Sequence, residues 1–455
     1  MKRFIDTLRN IFKIQELRQR ILLTLGLLLI YRLGSYVVLP GIDPVALKEG
    51  GSEGGGLAGI LDLFAGGAFS RASIFALGIM PYISASIAVQ LLTMAVPAFQ
   101  KMQKDGESGR NKLNQVTRYL TIAITAAQAV GFVINLKSES FNAIVNSAKN
   151  GDNLTFTFWL STVFVLIAGT MFVMWLGEKI TDKGLGNGIS LIIMVGIAGR
   201  LPQSIIGEFQ LKLGGEESGG LLALIIEMLA WLAIIIGTIA LVQAVRKIPL
   251  TSAKRQASGA TAVEGPRNYI PLKVNTAGVM PIIFAQAIMF LPATIAQFFP
   301  ESDVMSEFGR NFADYTSVVY NVILAVLIIL FTYFYTSLSV PANQMAEDLK
   351  KSNAFVPGIA PGEATSAFID EILSKITLPG AIFLSAIAIL PAVAKIFKVS
   401  GEFSQFFGGT SLLILVGVIL DTLQQVESYL LMKQYDGLMS SGRVRGRRDN
   451  VEVNK

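Results

Sequence analysis

Residues 50–97 read GGSEGGGLAGILDLFAGGAFSRASIFALGIMPYISASIAVQLLTMAVP, a glycine-bounded apolar piece set directly before an apolar run long enough to cross a bilayer. A hydrocarbon core takes about 20 apolar residues of helix. Leu57 to Phe64 supplies less than half of that. The short piece therefore belongs in a protein-lined cavity or at the membrane surface, the places where an incomplete span keeps its backbone satisfied. The cluster Gly50 to Gly56 ahead of it reads either as a plain flexible linker or as a hinge for the short helix.

The remainder of the chain supplies the membrane protein around this element. Of 455 residues, 52% are hydrophobic and only 15% charged, a balance outside that of soluble domains. Apolar runs predict ten spans: Ile21 to Leu39, Ser73 to Val96, Tyr119 to Leu136, Phe156 to Leu176, Ile189 to Ile206, Leu221 to Val245, Ala277 to Phe298, Val318 to Val340, Leu378 to Ile396 and Thr410 to Leu431. The expected fold is an all-α polytopic membrane protein. Ten spans divide as five plus five with opposite starting sides, the construction of inverted-repeat folds, which sets an N-terminal half over 21–207 and a C-terminal half over 208–431.

Basic residues near span ends stay in the cytosol. Both termini then face that side, with Lys2, Arg3, Arg9, Lys13, Arg18 and Arg20 at the start and Arg443, Arg445, Arg447 and Arg448 in a basic tail over 432–455. About 28 of the 38 basic residues fall on this side. The net charge of +6 thus reports orientation and contact with anionic lipid first, and nucleic acid second. Within 1–20, Phe4, Leu8, Ile11, Phe12 and Ile14 share a helical face among basic residues, which fits an amphipathic helix on the inner membrane surface; a solvated lead-in is the other reading. The first span has no cleavage pattern and is read as retained.

Cysteine and histidine are both absent. Disulfides, thiolate metal sites and imidazole proton relays are excluded, and no cofactor is expected. No Walker phosphate loop occurs, and GLGNG at 184–188 has turn rather than dinucleotide spacing. Transporters keep ionisable residues at mid-membrane, and here they are scarce: Arg32 can snorkel to the outer interface, Glu178 and Glu227 sit near span ends, and Asp421 is the most central acid. An intramembrane enzyme would lack candidates for a polar dyad. A secondary transporter built on inverted repeats remains the alternative to a channel.

Two cytosolic loops exceed what connection needs, Arg246 to Lys273 and Ala342 to Ile376. The first carries Arg246, Lys247, Lys254, Arg255, Arg267 and Lys273 against the single acid Glu264, which either marks orientation or attracts a polyanionic partner. The second carries AFVPGIAPGEAT at 354–365, whose two Pro-Gly pairs fix a tight tip.

The stretch SRASIFALGIMPYISASI from Ser70 resembles the SecY family, as do PGID at 40–43, MWLGEKITDKGLGNGIS at 174–190, IPLKVNTAGVMPIIFA at 270–285 and FGGTSLLILVGVILD at 407–421, in order over nearly the whole chain. The resemblance implies a channel of two five-helix halves hinged like a clamshell, crossed by unfolded polypeptide and opening sideways to release signal sequences and membrane spans. It implies a plug helix from Leu57 to Ser70 that includes Ile60, Leu61 and Phe64. It implies a pore ring of Ile79, Ile83, Ile189, Ile193, Ile283 and Ile414, in which the first four form two i, i+4 pairs, each on one helix face. Ser84, Gln90 and Asn275 fall in the walls of the implied lateral gate, where they either latch it or serve ordinary helix packing. Implied partners are SecE-like and SecG-like small membrane subunits and either the SecA motor ATPase or a ribosome, whose RNA the basic loops would contact. Lys254 and Arg255 match the family's basic pair in the first loop, Tyr435 resembles a contact in the tail, and Ala360 stands where the family usually has a basic residue, leaving Lys350 or Lys351 to compensate. The implied location is a bacterial plasma membrane.

Overall fold

The computed structural model describes residues 14–49, 62, 64–139, 144–145, 149–150, 153–214, 220–252, 268–297 and 314–440. A principal helix overlaps each predicted span: α1 Gln15–Gly34, α2 Met80–Ala95, α3 Gly106–Glu139, α4 Phe156–Lys183, α5 Gly188–Ala198 with a continuation Leu201–Gly214, α6 Gly220–Gln243, α7 Met280–Gln297, α8 Val318–Ser339, α9 Glu363–Ile396 and α10 Gly409–Ser440. Among the described residues, seven of them are long and apolar enough by themselves to cross a bilayer, α5 together with its continuation. The exceptions have local causes. Glu16, Arg18 and Arg20 occupy the first turns of α1, and α2 breaks sharply at Pro97 into a short helix Pro97–Lys104; α7 is apolar along Met280–Gln297 and carries Pro292 inside it.

The packing repeats with an offset of five helices. Within the first five, α2 packs on α3, α3 on α4, α4 on α5, and α1 on both α4 and α5; within the second five, α7 packs on α8, α8 on α9, α9 on α10, and α6 on both α9 and α10. The halves meet where α5 packs on α10 and where α2 packs on α7. Once that offset is known, a short sequence echo becomes visible. Gly78-Ile79-Met80-Pro81 opens α2 and Gly278-Val279-Met280-Pro281 opens α7, with positive φ at Gly78 (55°) and Gly278 (64°). GISLII at 188–193 opens α5 and GTSLLI at 409–414 opens α10. Ile83 therefore corresponds to Ile283, and Ile193 to Ile414.

The second span is shorter as a helix than predicted. Ser73 to Ile79 forms turns, because this segment pairs with the end of α1 instead: Leu39 donates to the Ala72 carbonyl and Ile74 to that of Val37, both at 2.9 Å. Asp421 lies at the middle of the candidate span Gly409–Met432. It is exposed on α10, beside Gln424 and Gln425, which accept from Lys273 Nζ at 3.3 Å and Gly186 N–H at 2.9 Å.

Alongside the small pair β1 Lys149–Asn150 and β2 Asn153–Leu154, the two long loops add strands that the all-α expectation omits. β3 Val245–Ser252 pairs antiparallel with β4 Asn268–Lys273 along one edge and with β5 Ala354–Phe355 at its far end. Ile248 and Leu272 pack beneath with Ala342, Val356, Ile369 and Leu373, so both loops form one platform with its own apolar core.

Candidate constriction, plug and gate

Four of the helix starts converge, and each carries an implied ring residue. Ile79 precedes α2, and its carbonyl accepts the Ile83 N–H at 3.1 Å, so the two side chains lie one turn apart. Ile189 and Ile193 lie in the first turns of α5, which Asn187 caps by accepting from Ile189 N–H at 3.1 Å and Ser190 N–H at 3.3 Å. Ile283 lies in the first turn of α7 and Ile414 in the second of α10. Ile79, Ile83, Ile193, Ile283 and Ile414 are buried in one apolar cluster, and Ile189 packs half-buried against it.

Of the implied plug, Leu57, Ile60 and Leu61 lie outside the described residues. Phe64 is buried in the same cluster as the ring isoleucines, with Ala65 and Ala68. The chain does not stay helical to Ser70: it runs as turns from Ala65, with φ of 64° at Gly66 and 83° at Gly67, a region open to glycine but costly for other residues. Ser70 is exposed, and its N–H donates to Asp62 Oδ1 at 2.7 Å.

Arginines hold this segment from three sides. Arg32 donates to the Gly66 carbonyl at 2.8 Å and to the Gly199 carbonyl at 3.4 Å. Arg71 donates to the same Gly66 carbonyl at 3.0 Å and to that of Ser35 at 3.3 Å. Arg200 pairs with the Asp62 carboxylate. Backbone meets backbone here as well. A Cβ at Gly196 would fall 2.9 Å from the Phe64 carbonyl oxygen, and one at Gly66 would fall 2.7 Å from Gly196 Cα.

The implied gate residues sit on the α2 to α7 wall. Ser84 and Gln90 are half-buried on α2, while Asn275 is buried in the turn before α7 with its Oδ1 unpartnered. Among the described residues no hydrogen bond joins these three. On the platform, Lys350 and Lys351 are exposed at the end of the helix Ala342–Lys351, where Lys351 lies 3.8 Å from Glu347 and 3.9 Å from Asp348. Ala360 is exposed at the loop tip. Lys254 and Arg255 lie outside the described residues, as do 1–13 of the amphipathic segment and 441–455 of the tail; Tyr435 falls in the last turns of α10, where side chains are not described.

The profile of the SecY family matches residues 73–423. The chain is 39% identical over 458 residues to the protein translocase subunit SecY of Chlamydia trachomatis, covering 97% of this chain and 99% of the relative. It is 42% identical over 437 residues to the protein translocase subunit SecY of Staphylococcus aureus, covering 95% and 99%. The chain belongs to the SecY family. Among solved structures it resembles one described as a protein conducting channel, with a TM-score of 0.60 and 16% identity over 95% of this chain and 94% of the other. It also resembles Sec61 in the canine ribosome-channel complex, with a TM-score of 0.57 and 17% identity over 95% and 94%.

As a SecY-family member the chain is a protein-conducting channel with a plug, and the transporter alternative is not favoured. Two positions escaped the sequence reading. By the five-helix offset, Val279 stands where Ile79 does and Thr410 where Ile189 does, one half-buried and one buried. The short G-x-M-P and G-x-S-L echoes were the available signal. Asp62 and Arg200 gave none, since α2, α3, α4 and the inner part of α5 lie between them in sequence.

Proposed function

We propose that this SecY-family channel passes unfolded polypeptide between the starts of α2, α5, α7 and α10, with Ile79, Ile83, Ile189, Ile193, Ile283 and Ile414 as the constriction. The segment containing Phe64 stops it on the outer side, and the wall between α2 and α7 opens for apolar segments. The supporting observation is that four helix starts bring branched apolar side chains into one cluster with Phe64. Such a ring closes around an extended chain without directional bonds, so it tolerates many sequences and excludes ions by dewetting. The channel is passive, with no catalytic group and no cofactor in its cycle. Partners push or ratchet the chain: a SecA-type motor or a ribosome on the platform of β3, β4 and β5, with SecE-like and SecG-like subunits in the membrane. Both termini are cytosolic in a bacterial plasma membrane. The test replaces Ile83 and Ile283 with Asn and follows export of a reporter with a defective signal sequence, together with ion leak through reconstituted vesicles. Both should rise; if neither changes, the ring assignment is wrong.

A further inference from the structure

The fifth helix is two helices. Its inner part, Gly188–Ala198, packs on α4, α10 and α1, and Gly188 lies so close to α4 that a Cβ would sit 2.0 Å from the Gly177 carbonyl oxygen. Its outer part, Leu201–Gly214, begins after a break at Gly199 and Arg200 and packs mainly on α6 and on the short helix Gly401–Ser404. Buried charges fasten that outer part. Lys212 Nζ lies 2.7 Å from Glu227 on α6 and donates to the Lys398 carbonyl at 3.2 Å, while Glu208 Oε2 accepts the Ser400 N–H at 3.0 Å. Glu208 is 0% and Lys212 3% exposed. A buried pair of this kind resists separation, because parting it leaves charges without partners in a poorly solvated place. By sequence the outer segment closes the N-terminal half, yet by contact it belongs to the C-terminal half.

The plug segment is fastened to the other body. Arg32 of α1 holds the Gly66 carbonyl, Arg71 reaches back to the Ser35 carbonyl, and residues 72–74 pair with the tail of α1. Among the described residues, one ion pair joins the two sets. Asp62, whose side chain is 6% exposed, braces the plug turn through Ser70 N–H and pairs with Arg200 at the head of the outer segment.

From this we propose that the joint between the halves is the break at Gly199–Arg200, and that Arg200 is a coupling residue which carries separation of the halves directly to the plug through Asp62. In the idle channel the Asp62 to Arg200 pair locks the plug segment. When the halves part, the outer segment moves with α6, Arg200 withdraws, and the lock is lost in the same step. This rests on the channel reading above, and deepens it by giving the plug a specific release.

The chain has no cysteine, so single labels can be placed cleanly. Spin labels at Leu211 on the outer segment, Leu222 on α6 and Phe164 on α4, all exposed, report distances in the purified channel complex before and after a synthetic apolar signal peptide is added. The 211–222 distance should hold while the 211–164 distance changes; a fixed 211–164 distance with a changing 211–222 distance overturns the joint. In vesicles, Asp62→Asn and Arg200→Gln should each raise idle halide leak about tenfold, corresponding to about 1.4 kcal/mol, and the double variant should leak no more than either single because one contact is lost in all three. Unchanged or additive leak refutes the lock. The Ile83→Asn, Ile283→Asn channel runs beside them: if it leaks while the lock variants do not, the lock alone fails, and if it conducts no better than the parent, the ring reading fails first.

Discussion

Gly196→Val tests whether the plug segment seats against the fifth helix, because the clearance there is set by backbone. A Cβ at 196 falls 2.9 Å from the Phe64 carbonyl oxygen, 3.3 Å from Gly66 N and 3.5 Å from Gly66 Cα, whereas ordinary contact begins at 3.4 Å. Alanine alone thus requires the plug segment to retreat by about 0.5 Å (3.4 − 2.9). The γ carbons of valine reach about 1.5 Å further. Neither neighbour can rotate away, since both contacts are main chain and Gly66 is held by Arg32 and Arg71. Overpacking of this size costs about 1–3 kcal/mol, which shifts the ratio of seated to displaced plug by about 5- to 150-fold. The assay is halide flux from vesicles holding the purified channel complex, with Gly26→Ala as control, because a Cβ at Gly26 meets nothing within 4 Å. Gly196→Val should leak in the idle state, Gly196→Ala less so, and Gly26→Ala not at all. If Gly196→Val is as tight as the parent, the plug does not seat on α5 as the geometry requires.

Asn275→Leu removes a buried side-chain oxygen that has no partner in the closed wall between α2 and α7. Such an orphan costs about 1–3 kcal/mol, so the near-isosteric change should favour the closed wall and slow insertion of a membrane-span reporter about 5-fold or more; faster insertion would refute a gate-wall role. Asp314, in the outer loop before α8, is subject to opposing influences. Burial raises its pKa, but hydrogen bonds from the Thr316 hydroxyl and N–H, with the Lys395 charge, outweigh it and hold the carboxyl below the ordinary value of 3.8. A depressed folded pKa contributes stability above the unfolded value and loses it as pH falls through the folded one. Unfolding in detergent should therefore show Asp314→Asn less stable than the parent at neutral pH and equal to it at about pH 2; a gap that persists in acid would mean the hydrogen bonds do not depend on the charge.

The spans were legible because a bilayer imposes length and apolarity on each one separately. What sequence could not supply was depth. Ser73 to Ile79 is as apolar as the helix after it, yet it pairs with the end of α1, a partner no local window contains. Only the fold brings the Gly66 carbonyl, 34 positions away, to the Arg32 guanidinium. The strands of the platform were hidden for another reason, since VRKIPLTS and NYIPLK are short, basic and proline-bearing, and gain their register from each other.

A helix that starts inside a membrane exposes N–H groups that have no carbonyl one turn back, and hydrocarbon offers them nothing. Where the ring isoleucines gather, the chain meets this need locally. Pro81 and Pro281 follow the first residues of α2 and α7, removing a donor at positions where proline fits the helix without strain. Asn187 accepts two donors at the head of α5. The same glycine-led signatures that end the preceding turns also set Ile83 and Ile283, and Ile193 and Ile414, at matching distances from their helix starts. Capping and constriction therefore meet at three of these starts: Pro81 and Pro281 each remove one early donor of α2 and α7, and Asn187 accepts two at the head of α5.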